Sequence, residues 1–104
     1  MSEKDKEKEE LLYWIKIIGK MNIRTLILSC LTKPQEHVLY QNSDGKQGFT
    51  ELTRKAKMTQ TKIQDYWSKW EKLDIIEKIP VRGGERGKRI FDLEELGIEI
   101  PHLD

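Results

Sequence analysis

Several residue types are scarce in this sequence of 104 residues, and each scarcity excludes a class of protein. Cys30 is the single cysteine, so no disulfide can form within the chain, and the reducing cytoplasm is the expected compartment. The two histidines, His37 and His102, offer with that cysteine no metal-ligand cluster and no Ser-His-Asp or Cys-His arrangement. We therefore expect a protein that is not an enzyme and that needs no cofactor and no metal.

Long apolar runs are also missing. The longest nearly apolar stretches, Leu11 to Ile18 and Leu26 to Leu31, fall far below the roughly 20 residues that a membrane span needs, and the N-terminus is charged rather than a secretory signal. Apolar residues make up 37% and charged residues 36%, a balance typical of a soluble globular chain with one modest core. The composition predicts one domain that does not enter a membrane.

The first third of the chain has the apolar spacing of helices. Leu11, Trp14, Ile15 and Ile18 repeat at helical intervals until Gly19, which is a typical helix stop. These residues predict a first amphipathic helix.

A second helix is predicted over Ile23 to Leu31, with Asn22 as its N-terminal cap and Pro34 after its end. Between Lys33 and Gly48 the periodicity is lost, apart from a short apolar island at His37 to Tyr40. We expect a loop here, with at most one short strand.

Two more helices follow. Thr50 can cap a third that runs through Lys57, and Thr59 can cap a fourth that runs to about Leu73. Asp74 then tolerates the left-handed backbone of a C-terminal cap. The apolar residues of the fourth helix fall on one arc, which predicts its buried face: Ile63, Tyr66, Trp67, Trp70 and Leu73. Stacking of the three aromatics on unpaired bases is the alternative, and their helical spacing favours core packing.

The C-terminal third has the pattern of a β-hairpin. Ile75 to Val81 and Arg89 to Leu93 predict two strands, joined by a flexible turn at 82–88. Glu94 to Gly97 predict a last helical turn, and residues 98–104 predict a surface tail. The glycines of the turn do not form a phosphate-binding P-loop, because its first position holds an arginine and a strand follows instead of a helix.

Charge is distributed unevenly along the chain. The formal net charge is only +1. From Phe49 to Phe91, however, eleven basic residues stand against six acidic ones, a net charge of +5, while the remainder holds eight basic and twelve acidic residues. One basic region is therefore offset by the rest, and a basic region is the usual footprint of a nucleic-acid contact.

The order of helix, helix, short turn, longer helix and basic hairpin resembles the winged helix-turn-helix family of transcriptional regulators. The resemblance covers Asn22 to about Gly97. The run Phe49-Thr50-Glu51-Leu52-Thr53-Arg54-Lys55-Ala56 is similar to the run that opens the motif in the MarR and ArsR groups. The run Trp70-Glu71-Lys72-Leu73-Asp74-Ile75-Ile76 is similar to the Leu-Glu-x-x-Gly-Leu-Ile-like run that closes their recognition helix. Trp70 replaces the usual Leu and Asp74 the usual Gly, which places the chain nearer the small archaeal members.

The resemblance implies an α+β fold, a winged helix-turn-helix with an additional N-terminal amphipathic helix and a C-terminal β-hairpin wing. Residues 22–97 would form the winged helix-turn-helix domain, residues 1–21 the added helix, and residues 98–104 the tail. It also implies double-stranded DNA as the partner.

The resemblance and the charge pattern together predict three sets of DNA contacts. The fourth helix would enter the major groove with seven polar or charged side chains, Gln60, Thr61, Lys62, Gln64, Asp65, Ser68 and Lys69. The wing would grip the backbone or a minor groove with Arg82, Arg86, Lys88 and Arg89. The third helix would position phosphates with Arg54, Lys55 and Lys57. The alternative for each set is a solvated polar surface, which any soluble domain has.

The apolar face of the first helix needs a partner. Leu11, Trp14, Ile15 and Ile18 either fold back on their own domain or form the interface of a homodimer. We favour a homodimer, because a two-fold dimer meets two DNA half-sites about one helical turn apart.

The leading hypothesis is a sequence-specific transcriptional regulator that binds double-stranded DNA. A protein-interaction module of a transcription or replication assembly is one alternative. A non-specific architectural DNA-binding protein is the other.

Overall fold

A computed structural model describes residues 3–103 of the chain. Within that range the fold is α+β, with four helices followed by a two-stranded antiparallel hairpin. The chain divides into two compact units, Met1–Cys30 and Leu31–Asp104. Within the described range, the search for a helix of the length and apolarity required to cross a membrane finds none.

The first unit contains one long helix. Helix α1 runs without interruption over Glu3–Cys30, so the predicted break between Gly19 and Ile23 is wrong. A glycine inside a helix costs only about 1 kcal/mol relative to alanine, whereas a break there would leave backbone groups of two helix ends without partners. Gly19 therefore lies inside the helix rather than at its end.

The second unit begins with a helix that was not predicted from the sequence. Helix α2 covers Pro34–Asn42, where we expected a loop with a short strand. Pro34 begins this helix instead of ending the previous one, because a proline at the first helical position loses no hydrogen bond and already has the required φ. The apolar island inside it, Val38 to Tyr40, is buried.

Helices α3 and α4 form the predicted pair with a short turn between them. Helix α3 covers Phe49–Ala56 and has Gly48 as its N-cap, so the predicted cap at Thr50 is wrong. Helix α4 covers Gln60–Lys72. Its predicted cap is confirmed, since the hydroxyl of Thr59 accepts a hydrogen bond of 3.2 Å from the backbone N–H of Lys62.

The core of the second unit lies where the inner faces of α2, α3 and α4 meet the hairpin. Of the predicted arc on α4, Ile63, Trp67 and Trp70 are buried. Tyr66 is half-buried and tilts against the ring of Trp70, with centroids 5.2 Å apart. Leu73 is 41% exposed, so its predicted place in the core is wrong: it caps the C-terminus of α4, where the chain leaves the helix. Asp74 has the expected left-handed backbone, with a φ of 59°.

The hairpin is tighter than the sequence predicted. Strand β1 covers Ile76–Val81 and strand β2 covers Gly84–Arg89, paired from Ile76 opposite Arg89 to Val81 opposite Gly84. Only Arg82 and Gly83 form the turn, so the predicted flexible turn at 82–88 and the predicted second strand at 89–93 are both wrong. Gly83 has a φ of 90°, a backbone conformation that favours glycine.

The chain after β2 returns to the core. Leu93 and Ile98 are buried, and between them a helical turn places the N–H of Leu96 on the carbonyl of Asp92 at 3.2 Å. The predicted last helical turn is therefore present. The N–H of Ile98 donates to the carbonyl of Leu93 at 2.8 Å, so the first residue of the predicted tail is packed rather than free at the surface.

Candidate functional site

One open cleft separates α4 from the hairpin. It has a volume of about 600 Å³. On the α4 side it is lined by Gln60, Gln64 and Ser68, which stand four residues apart and therefore share one stripe of the helix. Trp67 of α4 also lines it. On the other sides it is lined by the start of α3 and by the hairpin, through Gly48, Phe49, Lys78, Val81, Arg82, Gly83, Gly84, Glu85 and Arg86. The structure thus brings three predicted recognition-helix residues and two predicted wing residues into one place.

Two arginines of the hairpin line this cleft in different ways. Arg82 is exposed in the hairpin turn. Arg86 is half-buried, and its Nη1 donates a hydrogen bond of 2.7 Å to the carbonyl of Lys46. Its Nη2 lies beside Gly48, where a Cβ would stand 3.5 Å from it. The loop before α3 therefore fixes the guanidinium of Arg86, whereas that of Arg82 extends from the turn.

The third cation of the cleft belongs to strand β1. Lys78 Nζ donates to the hydroxyl of Ser68 at 3.4 Å and lies 3.9 Å from a carboxylate oxygen of Glu71. Lys78 is not among the residues predicted from the sequence. Its signal would have been the strand periodicity, which places it on the face of β1 toward α4.

Aromatic rings form the floor of the cleft. The rings of Phe49 and Trp67 have centroids 5.2 Å apart and planes 35° apart. Trp67 is buried, and Phe49 is half-buried. Strand β2 crosses the indole so closely at Gly87 that a Cβ there would stand 2.7 Å from Trp67 Cε2 and from Ile76 Cδ1. From the sequence, Phe49 was predicted only as the first residue of the motif, and its place in the cleft was not predicted.

The other two predicted wing residues lie away from this cleft. Lys88 is exposed, and Arg89 is at the base of the hairpin opposite Ile76. Arg89 Nη1 donates a hydrogen bond of 2.8 Å to the carbonyl of Gln41, and Nη2 lies 3.7 Å from Asp92 Oδ2. Arg89 therefore links the end of the hairpin to α2 and to the following segment, so the predicted cluster of four cations in one flexible turn is wrong.

The remaining predicted residues are spread over the outer surfaces of α3 and α4. Four of the recognition-helix set are exposed but do not line the cleft: Thr61, Lys62, Asp65 and Lys69. Arg54, Lys55 and Lys57 are exposed at the end of α3, and Lys55 Nζ donates to Gln47 Oε1 at 2.7 Å. Lys57 has a left-handed φ of 53°, and Gln35 Nε2 donates to its carbonyl at 2.9 Å. Cations are thus present on both sides of the α3–α4 turn.

The loop before α3 is ordered by Asp44. Its Oδ1 accepts hydrogen bonds from the backbone N–H groups of Lys46 at 2.8 Å and Gln47 at 3.0 Å. Burial alone would raise the pKa of the Asp44 carboxyl, but these hydrogen bonds outweigh it and hold the pKa below its ordinary value. The charged form of Asp44 therefore holds the loop that in turn holds Arg86.

Metal coordination has no candidate among the described residues. Among the residues that the structure describes, no three His, Cys, Asp or Glu side chains are grouped so that they could hold a metal ion. The cleft itself carries three cations, two amides, one hydroxyl and one carboxylate. Such a lining is suited to an anionic ligand with hydrogen-bonding edges.

Comparison with known proteins identifies no relative. No family model matches the sequence, and neither a curated protein nor a solved structure matches it.

Proposed function

We propose that this chain binds double-stranded DNA as a sequence-specific transcriptional regulator, with the layout of a winged helix-turn-helix. One observation carries the proposal. The polar stripe of α4 and the cationic turn of the hairpin line the same cleft. A recognition helix and a wing must be adjacent in this way to contact neighbouring parts of one duplex.

The dimensions and chemistry of α4 support its role as the recognition helix. Its 13 residues span about 20 Å, and the major groove is about 12 Å wide. Gln60 and Gln64 are exposed, and a glutamine amide pairs well with the N6 and N7 atoms of adenine. Lys62 is exposed on the same helix and would contact a guanine or a phosphate.

The surrounding cations support a role in positioning the duplex. Arg82 in the hairpin turn would reach a phosphate or a minor groove beside the groove that holds α4. The basic side chains at the end of α3 would contact another part of the DNA phosphate backbone: Arg54, Lys55 and Lys57. The formal net charge of +5 over residues 49–91, rather than the +1 of the whole chain, is then the quantity that determines attraction to DNA.

Selection from a random duplex pool, followed by fluorescence anisotropy at several salt concentrations, tests the proposal. We expect one enriched sequence and a binding constant that falls with salt. Arg82→Ala should make the slope of log K against log salt less negative by about 0.9, the value for one phosphate contact. Arg24→Ala is the matched control, because Arg24 is an exposed arginine on α1.

The other outcomes separate the alternatives. Equal affinity for all duplexes would identify an architectural protein instead of a sequence-specific one. Absence of binding to any duplex at low salt, where electrostatic attraction is strongest, would refute DNA binding and leave a protein-interaction module.

We further propose that α1 pairs with α1 of a second copy. Tyr13 and Trp14 are 60% and 57% exposed, which is unusual for large aromatic side chains without a partner. The side chains of Leu11, Ile15 and Ile18, the other predicted interface residues, lie outside the described residues. A homodimer would present two α4 helices to two half-sites of one operator.

A further inference from the structure

We propose that the cleft between α4 and the hairpin holds one unpaired nucleotide, with its base against Phe49 and its phosphate between Arg82 and Arg86. The inference goes beyond duplex binding and does not depend on it. A base inside an intact duplex has both faces covered by its neighbours, so only an unpaired base can lie against an aromatic side chain.

The volume of the cleft suits such a ligand. At about 600 Å³ it falls within the range of roughly 300 to 1,000 Å³ that is typical of small-molecule sites in proteins. The glycines at one wall, Gly83 and Gly84, have open space where a side chain would be. Backbone without side chains therefore forms that part of the wall.

Phe49 offers a rigid surface for a base. Its ring is half-buried and packs on Trp67 at a centroid distance of 5.2 Å, so the side chain is held from behind. A base that stacks on it would not have to order a mobile ring first. Stacking on aromatic side chains tolerates any of the bases, because every base has a π face.

The polar wall of α4 complements the edge of a base. Gln60 and Gln64 each carry a carbonyl acceptor and an amide donor, and both line the cleft beside Phe49. A base edge also alternates donors and acceptors. Among the described residues, the side chains of Gln60 and Gln64 make no hydrogen bond to Phe49, to Trp67 or to the hairpin.

Charge favours the phosphate on the opposite wall. Lys78, Arg82 and Arg86 line the cleft against one carboxylate, that of Glu85. Because Arg86 Nη1 donates a hydrogen bond to the carbonyl of Lys46, the guanidinium of Arg86 is already oriented in the absence of a ligand. A phosphate is bound well by guanidinium groups that donate two parallel hydrogen bonds.

Three ligands test the inference on the full-length chain: a blunt duplex, the same duplex with one unpaired adenosine in the middle of one strand, and adenosine monophosphate. Anisotropy of the labelled duplexes and competition by the mononucleotide are the measurements. We expect the bulged duplex to bind about tenfold more tightly than the blunt one, a gain set by one base stacked on one aromatic ring.

Variants of Phe49 identify the site. Phe49→Leu should remove the tenfold gain, measured as the ratio of that variant's affinities for the bulged and the blunt duplex. Phe49→Tyr keeps the ring and should keep the gain. A loss of the gain in both variants would instead indicate that substitution at position 49 disrupts the fold. Ile90→Ala, which removes an exposed apolar side chain outside the cleft, should change neither affinity.

Each outcome decides the matter. Equal affinity for bulged and blunt duplexes without competition by the mononucleotide would overturn the inference and leave duplex binding intact. A gain that persists in Phe49→Leu would overturn it as well. Binding of the bulged duplex without binding of the blunt duplex would support the inference and refute the proposed function.

Discussion

Trp67 Nε1 donates a hydrogen bond of 3.0 Å to the hydroxyl of Ser43, and both side chains are buried. Ser43 Oγ in turn donates to the carbonyl of Leu39 at 2.7 Å. A single hydroxyl therefore connects α4 to the end of α2, directly beneath the floor of the cleft. This link determines where the aromatic floor lies relative to the loop that holds Arg86.

Replacement of Ser43 should destabilise the protein. Ser43→Ala leaves the indole N–H of Trp67 buried without an acceptor, which costs about 1 to 3 kcal/mol. Urea unfolding followed by tryptophan fluorescence measures the loss. Ser29→Ala is the control, since Ser29 is exposed and its hydroxyl donates only to the nearby carbonyl of Leu26; equal effects of the two substitutions would contradict the buried link.

Replacement of Gly19 should stabilise α1. An alanine inside a helix is favoured over glycine by about 0.5 to 1 kcal/mol, and a Cβ on Gly19 would meet nothing within 4 Å. Thermal unfolding followed by far-UV circular dichroism should show the gain. Gly83→Ala should have the opposite sign, because Gly83 has a φ of 90°. Destabilisation by Gly19→Ala would contradict a continuous α1 and favour the helix break predicted from the sequence.

Stability should fall in acid through two aspartates. Hydrogen bonding from Gln41 Nε2 lowers the pKa of Asp92. Burial would raise the pKa of Asp44, but the backbone N–H groups of Lys46 and Gln47 together outweigh burial and lower it. A carboxyl whose folded pKa is lowered contributes stability above its unfolded pKa of about 3.9, and the contribution is lost as pH falls through the folded value.

Urea unfolding at a series of acidic pH values tests this dependence. Asp44→Asn and Asp92→Asn should each make the free energy of unfolding less dependent on pH below about 4, since each removes one group that titrates differently in the two states. Identical acid limbs in the wild type and both variants would show that neither carboxylate is held as described.

Substitution of Trp14 should weaken the proposed homodimer. Truncation of a tryptophan at the centre of an interface costs about 2 kcal/mol or more, close to thirtyfold in Kd. In size-exclusion chromatography with light scattering, the Trp14→Ala dimer should dissociate at a higher protein concentration than the wild-type dimer. Arg24→Ala, on the same helix, should behave as the wild type does; a chain that is monomeric at every concentration would refute pairing through α1.

Patterns with a strong periodic signal were readable from the sequence. The buried positions of Ile63, Trp67 and Trp70, the cap at Thr59 and the left-handed Asp74 follow from local rules of side-chain spacing and backbone sterics. Leu73 lies on the same arc but is exposed, because the helix ends at Lys72 and the backbone no longer directs its side chain inward.

Two other regions depend on tertiary contacts that no local rule contains. Helix α2 has nine residues with three consecutive buried ones, and so short a buried helix has no distinguishing period. The glycines at 83, 84 and 87 read alike in the sequence, yet Gly83 makes the turn and Gly87 is needed inside β2 because Trp67 lies against it. The cleft shares this cause, since Phe49 and Lys78 join it only through the packing of α3 and β1 on α4.

The contact of Gly87 with Trp67 has a consequence for recognition. With no side chain between them, the backbone of β2 rests directly on an indole that is itself anchored to α4 and α2. The packing of the hydrophobic interior thus sets the distance from α4 to the hairpin. A ligand of the proposed kind would meet a cleft whose width is set when the chain folds, and little ordering entropy would be lost on binding.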